Sequence, residues 1–160
     1  MPLILVNHLE AHSLVARMSE PSLSFPYLTL LISGGNSQLW VAEGIGDYRL
    51  LGSTGDDAIG EAFDKVARLL DIEMGPTECF GAALERHAKN GTPGAFQLPV
   101  PMRGKGRCSF SFAGLKSAAR RLILSLPSPL SPQTKADVCL AFQQAAVNVK
   151  LYIQSVLGTV

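Results

Sequence analysis

The sequence predicts an α/β fold. Three apolar segments of strand length lie between Tyr27 and Leu51, parted by Ser33-Gly34-Gly35 and by Gly44 to Gly46. Beyond Gly60 the apolar residues return at helical spacing instead. Apolar side chains make up 47% of the 160 residues and charged ones 17%, a mixture that supports a packed core rather than disorder. The length suits one modest domain or a piece of a larger one.

The elements follow in order. Pro2 to Val6 (PLILV) reads as a short buried strand. Asn7 suits a helix N-cap, and His8 to Met18 is rich in helix formers. Glu20 to Pro26 is a polar loop. Tyr27 to Ile32 (YLTLLI) is a continuous apolar run, and Gln38 to Ala42 and Tyr48 to Leu51 complete a three-stranded meander. Gly60 to Leu70 is an amphipathic helix with Phe63, Val66, Ala67 and Leu70 at helical spacing, and Gly81 to Lys89 is another. Gly91 to Gly106 is a Gly/Pro-rich loop, Ala113 to Leu126 contains a basic helix, and Pro127 to Pro132 is a linker. Gln133 to Leu157 is a long helix with Val138, Phe142, Ala145, Val149 and Ile153 on one side. A helix in an α/β unit normally hands over to another strand, so the chain is expected to be cut short at its C-terminus.

The net charge of +1 hides an asymmetry. Met1 to Glu85 holds 12 acidic and 4 basic residues. Arg86 to Ala136 holds no acidic residue and nine basic ones: Arg86, Lys89, Arg103, Lys105, Arg107, Lys116, Arg120, Arg121 and Lys135. Such a block attracts phosphates, although a merely solvated basic face has the same composition. The longest apolar run is too short to span a bilayer, and Met1 to Val6 has no basic leader. Cys79, Cys108 and Cys139 are odd in number and form no CxxC, which points away from a disulfide framework or a cysteine zinc site. A reducing interior compartment follows as the default.

Four segments bear on chemistry. His8 and His12 sit four apart, so on a helix their imidazoles share one face and can share a metal, although a casual pair on a polar face has the same spacing and two ligands are too few for a tight site. At about 100° per residue Glu10 falls on the opposite face, out of easy reach of a metal-bound water. That disfavours a zinc protease, which needs its glutamate beside the metal. Leu31-Ile32-Ser33-Gly34-Gly35 ends a strand in a turn whose backbone N–H groups can cradle phosphate, glycine permitting positive φ and close approach. The plain alternative is an ordinary hairpin turn. Asp57 to Ala67 places Asp64 and Lys65 on a packing helix, where the carboxylate can accept from a ribose or threonyl hydroxyl or simply form a surface ion pair. Phe110 to Lys116 sets aromatics around Ser111 at a helix start, either an anion-favouring N-terminus or a core pair with Ser111 as cap.

The order and spacing of these segments carry more than any one of them. NHLEAH, LLISGG, GEAFDKVARLL, FGAALERHA, FSFAGLKSA and AFQQAAV occur in the sequence order of the tRNA threonylcarbamoyladenosine transferase family, formerly labelled O-sialoglycoprotein endopeptidase, which the chain resembles over nearly its whole length. The resemblance implies an actin-like ATPase fold of two RNase H-like domains. Residues 1–26 would close the first domain with its metal-binding helix, and residues 27–160 would begin the second with its phosphate-binding hairpin. It implies transfer of a threonylcarbamoyl group from threonylcarbamoyl-adenylate to an anticodon-loop adenosine of tRNA. Carried onto this sequence, the metal ligands are His8 and His12, for one divalent ion such as iron or zinc whose third ligand is absent from the chain. The phosphate turn is Leu31, Ile32, Ser33, Gly34 and Gly35. The nucleotide contacts are Asp64, Gly81 and Glu85, the last two in a register blurred by extra residues around Glu73 to Glu78.

Three departures qualify the resemblance. Asn36-Ser37 stands where the family usually has His-Thr. The N-terminal phosphate hairpin is absent, and so are the C-terminal Asn and Asp that hold nucleotide and metal, so little activity is expected from the chain alone. The FPYLTLLISGG context and the Cys-containing loop before Gly81 are closer to organelle-type members, which implies a mitochondrial location. Expected partners are tRNA, the adenylate, and a second copy or accessory proteins, with no membrane. The competing readings are a non-catalytic relative that binds tRNA or a partner protein, and the metalloprotease of the older label.

Overall fold

The computed structural model describes residues 3–100 and 111–157, with side chains as far as Asn148. Helix α1 (His8–Leu14) and the single turn α2 (Ala16–Ser19) precede a meander of β1 (Tyr27–Ile32), β2 (Ser37–Gly44) and β3 (Asp47–Ser53). Four helices follow: α3 (Ile59–Leu69), α4 (Phe80–Ala88), α5 (Phe112–Ser125) and α6 (Pro132–Leu157). The α/β expectation and the meander both hold. The sheet is antiparallel in the order β1-β2-β3, with Leu30 opposite Leu39 and Thr29 opposite Trp40.

Strand alternation sorts the layers. Leu30 and Leu39 face the helical core, whereas Tyr27 and Thr29 face α1. Ser13 of α1 is buried there, its hydroxyl 2.8 Å from that of Thr29, and its carbonyl accepts from Tyr27 Oη at 3.2 Å. On the other face Val66 of α3, Leu70 at its C-cap, Leu84 of α4, Leu115 of α5 and Val138 and Phe142 of α6 are fully buried. Phe63 meets Phe142 edge-on with ring centroids 5.0 Å apart, a favoured aromatic arrangement. Val138, Phe142 and Ala145 thus form the predicted apolar side of α6, while the side chains of Val149 and Ile153 lie outside the described residues. Arg103, Lys105, Arg107 and Phe110, and the end of the predicted 91–106 loop, also lie outside them.

Two expectations are corrected. Residues 3–7 form no strand, and Leu3, Ile4, Leu5 and Val6 are 72–88% exposed. A strand satisfies its backbone on a neighbour, and among the described residues none pairs with this segment. The helix expected from His8 to Met18 is interrupted at Val15. Its start is as expected: the Asn7 side chain accepts from the backbone N–H of Leu9 at 3.0 Å and of Glu10 at 3.1 Å. Among the described residues no helix is long and apolar enough to cross a membrane.

Candidate functional site

The histidines of α1 converge. Nε2 of His8 and Nε2 of His12 are 2.9 Å apart, and the ring centroids 4.6 Å. Both side chains are exposed, so a metal can reach them from solvent. Two imidazole nitrogens converging on one point fit two ligands of a single ion. Among the described residues no group of three or more His, Cys, Asp or Glu side chains is placed to hold a metal. Glu10 points the other way: its Oε1 accepts from Gly46 N–H at 2.8 Å, at the β2–β3 turn. The helical-wheel argument that parts Glu10 from the histidines therefore holds in three dimensions.

The Ser33 to Asn36 turn is closed by Ser33 N–H donating to Asn36 O at 2.8 Å. The sequence argument for it needs two corrections. Neither Gly34 nor Gly35 has positive φ, so the turn does not require glycine for its backbone shape. Nor are its amides all free, because Gly35 N–H and Asn36 N–H donate to the Ser33 hydroxyl at 3.3 and 3.0 Å. A serine folded over its own turn satisfies donors that the sequence alone leaves open. A Cβ on Gly34 or on Gly35 would meet no atom within 4 Å. What the two glycines provide is open space over exposed backbone. With two amides donating to its oxygen, the Ser33 hydroxyl has its own hydrogen left to donate outward.

Helix α3 begins directly beside this turn. Its N-cap, Ala58, has no capping side chain, and the first helical N–H, that of Ile59, donates instead to the hydroxyl of Ser37 at 3.0 Å. Ser37 is 3% exposed and opens β2, and its carbonyl accepts from Thr54 N–H at 2.9 Å. Gly60 lies against the turn itself, as a Cβ there would stand 2.8 Å from Gly34 Cα and 2.9 Å from the Ser33 carbonyl oxygen.

An acidic pair, Asp56 and Asp57, ties α5 to the same region. Asp56 accepts from the Ser111 hydroxyl at 2.7 Å and from the backbone N–H of Phe112 and Ala113 at 3.0 and 3.3 Å. The start of α5 is thus capped by a distant carboxylate, while Ser111 itself makes no cap bond. Ser111 thus holds the N-cap position without a cap bond of its own, the anion at this helix start is the protein's own, and of the two flanking aromatics Phe112 is buried while Phe110 lies outside the described residues. Asp57 receives Lys65 Nζ at 2.8 Å and Lys116 Nζ at 2.5 Å. Those bonds, Lys116 first, hold its carboxyl below the usual carboxylate value.

Asp64 and Gly81, picked separately from the sequence, are brought together: Gly81 N–H donates to Asp64 Oδ1 at 2.9 Å. Glu85 is exposed one turn further along α4. Between Gly81 and the α3 end the inserted loop is pinned by Glu78, which takes Arg86 at 3.0 and 2.8 Å and Gly75 N–H at 3.0 Å. Of the basic block, Lys116 and Arg120 of α5 line one groove with Lys65 and Arg68 of α3, a space of about 400 Å³. The structure thus joins the turn to α3, and α3 to both α4 and α5, while the histidine pair stands on the helix against the other face of the sheet. Sequence reasoning missed Gly60 and Asp56, and met Ser37 only as a departure from the resemblance, not as the partner of α3. The paired aspartates just before a helix were a readable signal, since acidic residues cap helix starts, but which helix they cap was not.

Residues 1–156 match a single family description, TsaD, tRNA N6-adenosine threonylcarbamoyltransferase, and the chain belongs to that family. It is 52% identical over 147 residues to the tRNA N6-adenosine threonylcarbamoyltransferase of Paramagnetospirillum magneticum, covering 92% of this chain and 41% of that protein. Proteins of the same description from Maricaulis maris and Brucella anthropi are 54% and 50% identical, over 90% and 92% of this chain and 37% and 39% of theirs. The chain therefore spans about two fifths of the length of these relatives.

Proposed function

We propose that this chain supplies part of the site that transfers a threonylcarbamoyl group from threonylcarbamoyl-adenylate to the amine of an anticodon-loop adenosine in tRNA. The observation that carries this reading is membership, along residues 1–156, of a family described as tRNA N6-adenosine threonylcarbamoyltransferase; the adenylate donor and the anticodon-loop acceptor are part of the proposal. The proposal includes the actin-like ATPase fold, with residues 1–26 ending one RNase H-like domain and residues 27–160 beginning the next.

In the transfer, the adenosine amine attacks the carbamoyl carbon of the adenylate. A C–N bond forms, the bond from carbon to phosphate oxygen breaks, the amine proton is released, and adenosine monophosphate leaves with the electron pair. Charge grows on the departing phosphate, so donors fixed in advance lower the barrier most. The Ser33 hydroxyl and the turn of Ser33, Gly34 and Gly35 are assigned that role, with the positive end of α3 beside them. Leu31 and Ile32 hold the turn at the end of β1. Asp64 has Oδ1 engaged by Gly81 N–H. The reading assigns its other oxygen, with Glu85, to the ribose or threonyl hydroxyls. His8 and His12 would hold one divalent ion, iron or zinc, which when bound would polarise the carbonyl under attack. The groove of Lys65, Arg68, Lys116 and Arg120 is the tRNA-facing surface this reading favours. A mitochondrial location accompanies it, on the ground of the FPYLTLLISGG context and the loop before Gly81.

The test is a chimaera. Residues 1–156 replace the matching segment of the Paramagnetospirillum magneticum relative, and the folded product is given threonylcarbamoyl-adenylate and tRNA. Modified adenosine, measured by mass spectrometry of the digested tRNA, is the expected result. A folded chimaera that binds the adenylate yet modifies no adenosine favours the non-catalytic reading, and one that binds neither substrate refutes the proposal.

A further inference from the structure

We infer that Ser37 and Gly60 are positioning residues that fix the phosphate turn against the first turn of α3; the inference rests on the phosphate reading of Ser33 to Gly35. Two independent contacts support it. At the exit of the turn, the Ser37 hydroxyl accepts the first N–H of α3 at 3.0 Å, although Ser37 precedes Ile59 by 22 residues. At the apex, Gly60 leaves its place open to the backbone of the turn: the nearest atoms to a Cβ there would be Gly34 Cα at 2.8 Å, the Ser33 carbonyl oxygen at 2.9 Å and Gly34 N at 3.1 Å. All three are main-chain atoms, which have no rotamer to escape by. Any side chain at 60 therefore moves the turn or moves the helix.

The helix is the less movable of the two. Ala62, Val66 and Ala67 of α3 are fully buried, and Lys65 is tied to Asp57 at 2.8 Å. The turn is exposed on its outer side, and nothing lies within 4 Å of where side chains on Gly34 and Gly35 would point. A collision at position 60 is thus relieved by displacing Ser33 and Gly34, the atoms assigned to the phosphate. Loss of the Ser37 hydroxyl acts from the other side, because it frees the start of α3 and leaves a donor without its partner. Small displacements of this kind matter for a site whose donors must already be in place.

The experiment uses the chimaera proposed above, with adenosine monophosphate as the probe. Backbone amide spectra of the wild type and of Gly60→Ala, Ser37→Ala and Ser37→Thr are recorded without and with the probe, beside a thermal melt of each. In Gly60→Ala the amides of Ser33 to Asn36 are expected to shift before any ligand is added, while those of Val66 to Leu70 stay in place. Affinity for the probe, per folded molecule, should fall by about tenfold or more in Gly60→Ala and Ser37→Ala. Ser37→Thr, which keeps the hydroxyl, should stay within about twofold of the wild type. Unmoved turn amides in Gly60→Ala, or undiminished affinity in both loss variants, overturns the positioning role and leaves the phosphate reading intact. A wild-type turn that does not respond to the probe refutes the phosphate reading, and the positioning role falls with it.

Discussion

Asp64 Oδ1 accepts the backbone N–H of Gly81 at 2.9 Å, and that one bond links the middle of α3 to the first turn of α4. The N–H groups of a first helical turn have no partner within their own helix, so a carboxylate from outside satisfies one of them and is favoured there by the helix dipole. A Cβ on Gly81 would stand 3.4 Å from the same oxygen, in ordinary contact with it. Asp64→Ala is expected to lower stability by about 1 kcal/mol. Asp64→Asn, which keeps an accepting oxygen, should lose less. Urea titration of both variants measures the difference, and equal losses would show that the bond to Gly81 contributes little.

Asp57 sets an acid limit on the fold. Hydrogen bonds from Lys116 first and Lys65 second hold its carboxyl below the ordinary 3.8. Glu78 is held down from 4.5 to about 2, chiefly by Arg86 and then by Gly75 N–H. A carboxyl whose folded pKa is depressed stabilises the fold above its ordinary value and loses that contribution as pH falls through the folded one. The urea midpoint should therefore be level above 4.5 and decline from there towards about 2. Asp57→Asn should be less stable than the wild type at neutral pH and show a flatter decline in acid. A variant as acid-sensitive as the wild type would exclude Asp57 as a source of the effect.

The histidine pair predicts weak metal binding with a specific pattern of loss. His8→Ala and His12→Ala should each abolish binding of zinc or cobalt by the chain, measured by calorimetry. Glu10→Gln should leave it unchanged, since Glu10 is engaged with Gly46 N–H at the sheet. It should instead lower stability slightly, by about 0.5 to 1 kcal/mol. Metal binding that needs Glu10 would reverse the assignment and reopen the protease reading.

Substitution at Gly35 and at Gly60 should weaken phosphate binding for different reasons. No atom lies within 4 Å of a Cβ on Gly35, and its φ is not positive, so Gly35→Val should change stability by no more than about 1 kcal/mol. It should nonetheless weaken adenosine monophosphate binding, because the valine fills the space over the turn. In an ordinary helix Gly→Ala gains about 1 kcal/mol. At Gly60 the collision with Gly34 Cα at 2.8 Å opposes that gain, so Gly60→Ala should be neutral or destabilising. A clear gain in melting temperature at Gly60 would mean that the turn yields without strain.

Opening the start of α5 should be costly. Asp56 accepts from Phe112 N–H, Ala113 N–H and the Ser111 hydroxyl, and Asp56→Ala removes both accepting oxygens and so all three bonds at once. A loss of about 1 to 2 kcal/mol is expected by chemical denaturation. Ser111→Ala should cost less, because Asp56 keeps its two backbone donors.

Most local elements, and the family, could be read from residue pattern alone. The meander was legible because side-chain alternation and glycine turns are properties of a few adjacent residues, and β1 begins and ends where YLTLLI does. The helices α3, α4 and α6 were legible for the same reason, through apolar residues at helical spacing that the structure buries. The Asn7 cap and the divergence of Glu10 from His8 and His12 follow from helix geometry alone. Contacts between residues distant in sequence came to light only in the folded structure. It showed that Ser37 caps α3, that Asp56 caps α5 in place of Ser111, that Asp57 gathers Lys65 and Lys116, and that Gly60 yields to Gly34. It also showed that Leu3 to Val6 lacks a pairing strand among the described residues, and that the turn glycines provide space rather than positive φ. Local pattern says which backbone groups a helix or turn leaves unpaired; it does not say which distant side chain arrives to pair them, because that depends on how the layers pack.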